Sequence, residues 1–454
     1  MTSYIRHTSL AFILPVVSCL SFPVFAAPGD LDTSFGVGGI VNIDFSAKEE
    51  RIYSVVIDNS NRIIVAGTIF DQTTTAFDAF VARFTTSGDL DTSFGSDNDL
   101  DGILDGYAII DLGGGDWGTD VVLDSLGRIL VSGYSDQIQH GVPEPRMVTT
   151  RFLDDGSVDA SYPVSIPNTS AGTSEHCWRS STYHTANDRN DNLYAFGFKD
   201  ESGILRETSA LVLDSNGEAT PPVATSTVAG CEYYTPTSYA EPSSGSGLVL
   251  QDSDQKPLFL IDSGNDLYIA RGEATSPVPA AFDITYGITN PGMTLISHAM
   301  FSPASIIDPR NMAIDSNPSH PHYDKPVIIA SVDGDFLVLR MDNTGNLDAG
   351  FNGGSGYHTV DFGNTDWGRA IGVDSLGRTV AAGMSGSSLA VTRLNRNGTL
   401  NLRFGGNGTG IKLDSLGIGS IQIWDLAINS QNDIIIVGTS AYNTDILIAK
   451  YLGQ

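Results

Sequence analysis

The sequence predicts an all-β chain closed into a seven-bladed β-propeller of four-stranded antiparallel blades. Three observations carry that expectation: phrases that recur in a fixed order, apolar runs with no polar alternation, and glycine-rich turns between them. The recurring core phrase is an apolar strand ending in Asp, a turn, and a second apolar strand ending in Gly. It reads Val55-Val-Ile-Asp-Asn-Ser-Asn-Arg-Ile-Ile-Val-Ala-Gly67 and returns at Val121–Gly133, Ile371–Gly383 and Leu426–Gly438. Weaker copies end near Gly197, Arg271 and Ser331, so successive copies lie 66, 64, 74, 60, 52 and 55 residues apart.

Each blade element follows from its phrase. Runs such as Ile63–Ala66 are apolar at every position, so those strands are buried on both faces. Third strands end in Arg-Phe, Arg-Met or Arg-Leu, at Ala79–Phe84, Met147–Phe152, Phe336–Met341 and Leu389–Leu394. A tail phrase comes next: Gly88-Asp-Leu-Asp-Thr-Ser-Phe-Gly95, with relatives at Gly29–Gly36, Gly156–Tyr162, Gly345–Asn352 and Gly398–Gly405. Its aspartates are placed to cap turn N–H groups while Leu and Phe anchor the loop. Outer strands come last, at Gly39–Phe45, Tyr107–Leu112 and Tyr357–Phe362. A single four-stranded sheet cannot bury both faces, and radial repetition covers them. Six or eight blades stay open, because the copies are degenerate over about 163–334. The phrase at 29–45 lacks its preceding strands, and Asp445–Tyr451 lacks its following tail. The N-terminal segment is therefore expected to complete the last blade.

These phrases together resemble the delta-60 repeat, a bacterial family. The likeness is strong over 29–162 and 335–454 and implies a β-propeller and export. It implies no general activity and carries over no catalytic residues.

Residues 1–26 read as a secretory signal peptide: Arg6, an apolar stretch from Leu10, and Val24-Phe25-Ala26 as the cleavage site. Residues 27–454 then form a single propeller domain, periplasmic or extracellular. A lipoprotein anchored at Cys19 is the minor alternative, since the residues after it stay apolar. No later stretch is long and apolar enough to span a membrane. Export leaves Cys177 and Cys231, which are expected to form a disulfide. With Lys+Arg 24 against Asp+Glu 53, the net charge of −29 disfavours nucleic acid and anionic membrane surfaces as partners.

Two constellations carry candidate chemistry. Asp97-Asn-Asp-Leu-Asp-Gly-Ile-Leu-Asp105 spaces Asp97, Asp99, Asp101 and Asp105 at positions 1, 3, 5 and 9, with the Ile103 carbonyl at position 7. That is a calcium-like loop, although Ala108 stands where an EF-hand carries glutamate. The second set lies at the start of each innermost strand, expected around the channel mouth: Glu50, Arg51, Asp116, Trp117, Asp308, Arg310, Asp366, Trp367, Trp424 and Asp425. Trp with Asp and Arg suits a sugar or peptide site, while Asp-Trp-Gly as repeat grammar is the bland alternative. No G-x-S-x-G, H-E-x-x-H, P-loop or Rossmann fingerprint occurs. The expected function is an exported binding or scaffold module, calcium-stabilised, for a carbohydrate or cell-surface protein. The rival is a polysaccharide hydrolase or lyase using carboxylates at the channel mouth.

Overall fold

A computed structural model describes residues 26–45, 49–71, 75–98, 100–139, 142–162, 173–178, 180–201, 205–216, 232–233, 244–273, 283–287, 292–302, 305–440 and 445–454. The chain forms seven four-stranded antiparallel sheets. Their innermost strands are Glu50–Ile57, Gly115–Leu123, Ser180–Asn187, Ser244–Leu250, Ile307–Ile314, Asp366–Val373 and Gln422–Ile428, which number blades 1 to 7. Each innermost strand neighbours those of the adjoining blades, and blade 7 meets blade 1, so the ring is closed. Helical turns among the described residues are two short 3-10 segments, and no helix is long and apolar enough to cross a membrane.

Closure runs through the N-terminal segment. Ile40–Ile43 is the outer strand of blade 7 and pairs antiparallel with Asp445–Tyr451, Ile40 opposite Ala449. Leu31 bridges Tyr451, and Gly29 N–H donates to the Leu452 carbonyl at 2.8 Å. A sheet edge at the seam is thereby paired rather than left open.

The repeat grammar is a clamp at the outer rim. Arg83, Arg151, Arg271, Arg340 and Arg393 each lie over the ring of the tail phrase after them, Phe94, Tyr162, Tyr286, Phe351 and Phe404, at 4.5–4.9 Å. Arg83, Arg151 and Arg340 also donate from Nε to Asp91, Asp159 and Asp348 at 2.7–2.8 Å. Charge-assisted bonding and cation–π contact thus hold the tail against the third strand. The next blade's turn then seats on the aromatic ring. Gly398 has φ +79, and a Cβ there would meet the Phe351 ring at 2.6 Å, so the close approach requires glycine. In the inner turns, Asp58, Asp124 and Asp374 accept Nε–H bonds from Arg62, Arg128 and Arg378 four residues on. Between blades, side chains such as Val65, Phe80, Val437 and Ile448 merge into shared apolar clusters.

Candidate functional site

Every innermost strand carries a β-bulge at the same height. The register slips between Ile52 and Ser54, Gly118 and Asp120, Thr182 and His184, Gly245 and Gly247, Pro309 and Asn311, Gly368 and Ala370, and Ile423 and Asp425. A bulge re-aims the extra residue, and here it aims one per blade at the axis. Those residues line a cavity of about 450 Å³ at the channel mouth. Tyr53, Tyr183 and Trp424 are aromatic, Arg310 and Arg369 cationic, and Thr119 and Ser246 small and polar. The seven blades therefore build one site from seven nearly independent choices.

The mouth is an aromatic wall with cations set into it. Trp117 stacks on Tyr134 with centroids 4.6 Å apart, and Tyr53 meets Trp424 edge-on at 5.4 Å. Arg51 pairs with Glu49, and Arg310 donates to Asp308 at 2.6 Å. Arg369 lies over the Trp424 ring at 6.0 Å and has no carboxylate partner among the described residues. Burial, and then the neighbouring Arg310, brings its guanidinium down to about 10, still a cation at neutral pH. Arg51 Nε, Arg369 Nε and Trp424 Nε1 are buried N–H donors without an acceptor among the described residues. Asp262, at the same cavity, is pushed up to about 6 by burial and then by Asp308.

Below the mouth a narrower cavity of about 230 Å³ forms the waist. Asp120 and Asp425 face each other across Ser54, whose hydroxyl donates to Asp120 Oδ1 at 2.6 Å and lies 3.3 Å from Asp425 Oδ2. Burial pushes Asp120 up to about 6; burial and then Asp120 push Asp425 up to about 7. Their oxygens are nevertheless occupied. Asp120 accepts from Val121 N–H and from Thr185 N–H and Oγ1, and Asp425 accepts from Val55 N–H and Leu426 N–H. His184, beside them, is driven down to about 4 by burial and stays neutral. At the far end of the channel the lining is apolar apart from Asn187: Val55, Val122, Ala427 and Ile428 among others.

Of the residues singled out from the sequence, Arg51, Trp117, Arg310 and Trp424 line the mouth and Asp425 the waist. Asp308 sits beside the mouth as the partner of Arg310, and Trp367 is 42% exposed on blade 6, outside the cavity lining. Glu50, Asp116 and Asp366 are buried at the junctions between blades. Burial pushes Asp116 up to about 6, against the hydrogen bonds from Ser135 and Leu112 N–H and with Asp111 and Asp136 adding to it. In the acidic loop, Asp97 accepts from Asp101 N–H and Gly102 N–H, Asp101 from Ile103 N–H, and Asp105 from Asn98 N–H. Ile103 is 57% exposed, and Asp99 lies outside the described residues. Cys231 and the side chain of Cys177 also lie outside them, as do residues 1–25. Sequence reading missed Tyr53, Thr119, Asp120, Tyr183, Arg310's equivalent Arg369, and Asp262. A signal was present: each bulge residue stands five positions before the polar residue that ends its strand, as Tyr53 before Asp58, Arg369 before Asp374 and Trp424 before Asn429.

A family described as a domain of unknown function (DUF5122) beta-propeller matches residues 59–94. No curated protein matches. Among solved structures, a virginiamycin B lyase from Staphylococcus aureus is 11% identical with a TM-score of 0.50, covering 91% of this chain and 99% of that one. The β-propeller domain of the Trilobed protease from Pyrococcus furiosus is 8% identical with a TM-score of 0.43, covering 90% and 95%. At such identities the likeness is one of fold. This chain is a β-propeller built of repeats.

Proposed function

We propose that the protein is an exported binding module whose channel mouth holds a carbohydrate carrying carboxylate groups. The carrying observation is the set of unanswered donors among the described residues: Arg369 without a carboxylate, and Arg51 Nε, Arg369 Nε and Trp424 Nε1 without acceptors. A chain of net charge −29 that holds cations at one concave, aromatic-walled point favours an anionic ligand there. Sugar faces stack on Trp117 and Tyr53, and a carboxylate answers Arg369 bidentately, which lysine could not do. Calcium ordering the loop at 97–105 remains part of this reading, and a chelator should lower the melting temperature if it does so. The test is calorimetry with oligogalacturonate against a neutral oligoglucan. Oligogalacturonate should bind, and Arg369→Ala should weaken it at least tenfold with the fold intact. Equal binding of the neutral oligomer, or no loss in the variant, would sink the reading.

A second reading rests on the Asp120–Asp425 pair. Two carboxyls raised to about 6 and 7 in a channel have the poise of a general acid and base for polysaccharide cleavage. Their backbone hydrogen bonds favour a structural role in the waist. Release of shorter oligosaccharides, abolished by Asp425→Asn, would establish the enzyme.

A further inference from the structure

The buried acids at the blade junctions form a pattern separate from the mouth. Asp78 lies near the start of the third strand of blade 1, Asp111 comes just after its outer strand, and Asp116 is the second residue of the innermost strand of blade 2. One carboxylate oxygen from each lies within 4.8 Å of the other two. Asp335, Asp361 and Asp366 repeat the arrangement between blades 5 and 6, at the same register positions and again within 4.8 Å of one another. Oxygens bound to one calcium at 2.3–2.6 Å are never more than about 5 Å apart, so each triad has the span of a single coordination shell.

A second observation points to a ligand. Asp116 is 1% exposed and Asp366 0% exposed, and in each Oδ1 has no hydrogen-bond partner among the described residues. The other oxygen in each is held: Asp116 Oδ2 accepts from Leu112 N–H and Asp366 Oδ2 from Phe362 N–H, both at 2.7 Å. That bond orients the carboxylate and leaves Oδ1 without a hydrogen bond. Ser135, opposite Asp116 in the ladder, turns its buried hydroxyl toward the same carboxylate. A buried, unanswered carboxylate oxygen among other carboxylates is costly unless a cation answers it.

The other junctions sharpen the case. Between blades 6 and 7 the three register positions hold Ser388, Ser415 and Ile421, so all three acids are replaced together. Between blades 4 and 5 they hold Asp266, Ser297 and Ile307, and the lone acid is taken by His298 Nδ1 at 2.6 Å. Between blades 7 and 1 the positions hold Asp445, Asp44 and the longer Glu50, and those oxygens do not converge in the same way. Ladder contacts alone would not require the acids to be kept or lost as a set.

We propose that the blade 1–2 and blade 5–6 junctions each bind one divalent cation of the calcium type, held by Asp78, Asp111 and Asp116 and by Asp335, Asp361 and Asp366. Hard carboxylate oxygens without His or Cys select calcium over zinc or copper. Asp111 and Asp361 are exposed, so each site has an opening to solvent and room for water in the shell. Each ion ties the last two strands of one blade to the first strand of the next.

The test is calcium titration of the chelator-stripped full chain by calorimetry, with melting temperature followed in parallel. Asp116→Asn and Asp366→Asn should each lower the stoichiometry by one, and the double variant by two. Asp97→Asn/Asp101→Asn should leave these two sites bound. Asparagine removes charge at constant shape, so without calcium the double variant should melt no lower than the parent, and calcium should raise its melting temperature less. An unchanged stoichiometry in the double variant overturns the proposal, as does an absence of calcium binding at millimolar concentration. A double variant that melts lower than the parent by the same amount with and without calcium overturns it too. None of these readouts involves the mouth ligand, so they stand or fall separately from it.

Discussion

The rim and the axis of this ring obey opposite rules. At the rim, five blades present Arg over an aromatic ring at 4.5–4.9 Å, and blade 7 places Lys450 over Phe35 at 5.9 Å. At the axis, the seven bulge positions hold tyrosine, threonine, serine, arginine and tryptophan in no repeating order. Repetition marks what every blade needs to stay in the ring. Departure from it, at positions the backbone aims identically, marks where the side chain answers to something other than the fold. The comparison can be broken from either side.

The largest effect is expected at the rim. Phe351 is fully buried under Arg340, and the Gly398 turn of the next blade rests on it. Phe351→Ala removes the ring and leaves a cavity that two neighbouring blades share. The expected loss is about 3–5 kcal/mol in chemical denaturation, with mouth binding unchanged in the folded fraction. Arg369→Ala should do the reverse: little loss of stability and a large loss of binding. A stable Phe351→Ala variant would mean that the clamp is decoration.

A smaller effect separates the waist from both. Asp425 is raised from 3.8 to about 7, so between those values the folded state holds a proton that the unfolded chain has released. Stability from this group is fully present below pH 3.8 and is lost as pH rises toward 7. Asp120, raised to about 6, adds in the same direction. Asp425→Asn should flatten the decline and exceed the parent at pH 8 by on the order of 1–3 kcal/mol, with the two converging near pH 3.5. Parallel pH profiles would show that the pair is not buried as the waist requires.

Much of the ring was legible because its physics is periodic. Uninterrupted runs such as Ile63–Ala66 marked strands buried on both faces, and the orphan tail phrase at 29–36 marked the seam that Leu31 and Tyr451 now close. The candidate site was less legible for a definite reason. A bulge adds one residue to one strand, and it rotates the residues before it away from those after it. Ahead of the bulge successive residues alternate between faces, so Arg51 and Trp117 stay on the cavity while Glu50 and Asp116, one residue earlier, turn into the junctions. Arg369 and Tyr53 carry no motif of their own; only their fixed distance from the strand-ending Asp374 and Asp58 betrays them. Pairings across strands, such as Asp78 with Asp116, connect residues 38 apart through a register that no local phrase encodes.

The finest test uses blade 6, which keeps the rim's arginine and ring but lacks the tail aspartate. In blade 6 the tail aspartate is Asn401, so Arg393 keeps its place 4.9 Å over Phe404 but loses its carboxylate. Its Nε is buried without a partner, and burial, then Arg378, lowers the guanidinium to about 10. Asn401 instead donates to Asn395 Oδ1 at 2.8 Å. Asn401→Asp restores the geometry of Arg340 and Asp348, where Nε donates at 2.7 Å. The gain is one charge-assisted bond to a buried cation, and the loss is one neutral, part-buried bond, so the net gain is about 1 kcal/mol. The new carboxyl beside a buried guanidinium should titrate below the ordinary aspartate value. Its stabilisation is then present at neutral pH and lost as pH falls through that lowered value. The melting temperature of Asn401→Asp should therefore exceed the parent's at pH 7 and match it near pH 2. A variant that melts lower at pH 7 would show that the Asn395–Asn401 bond outweighs the ion pair, and that blade 6 follows a rim rule of its own.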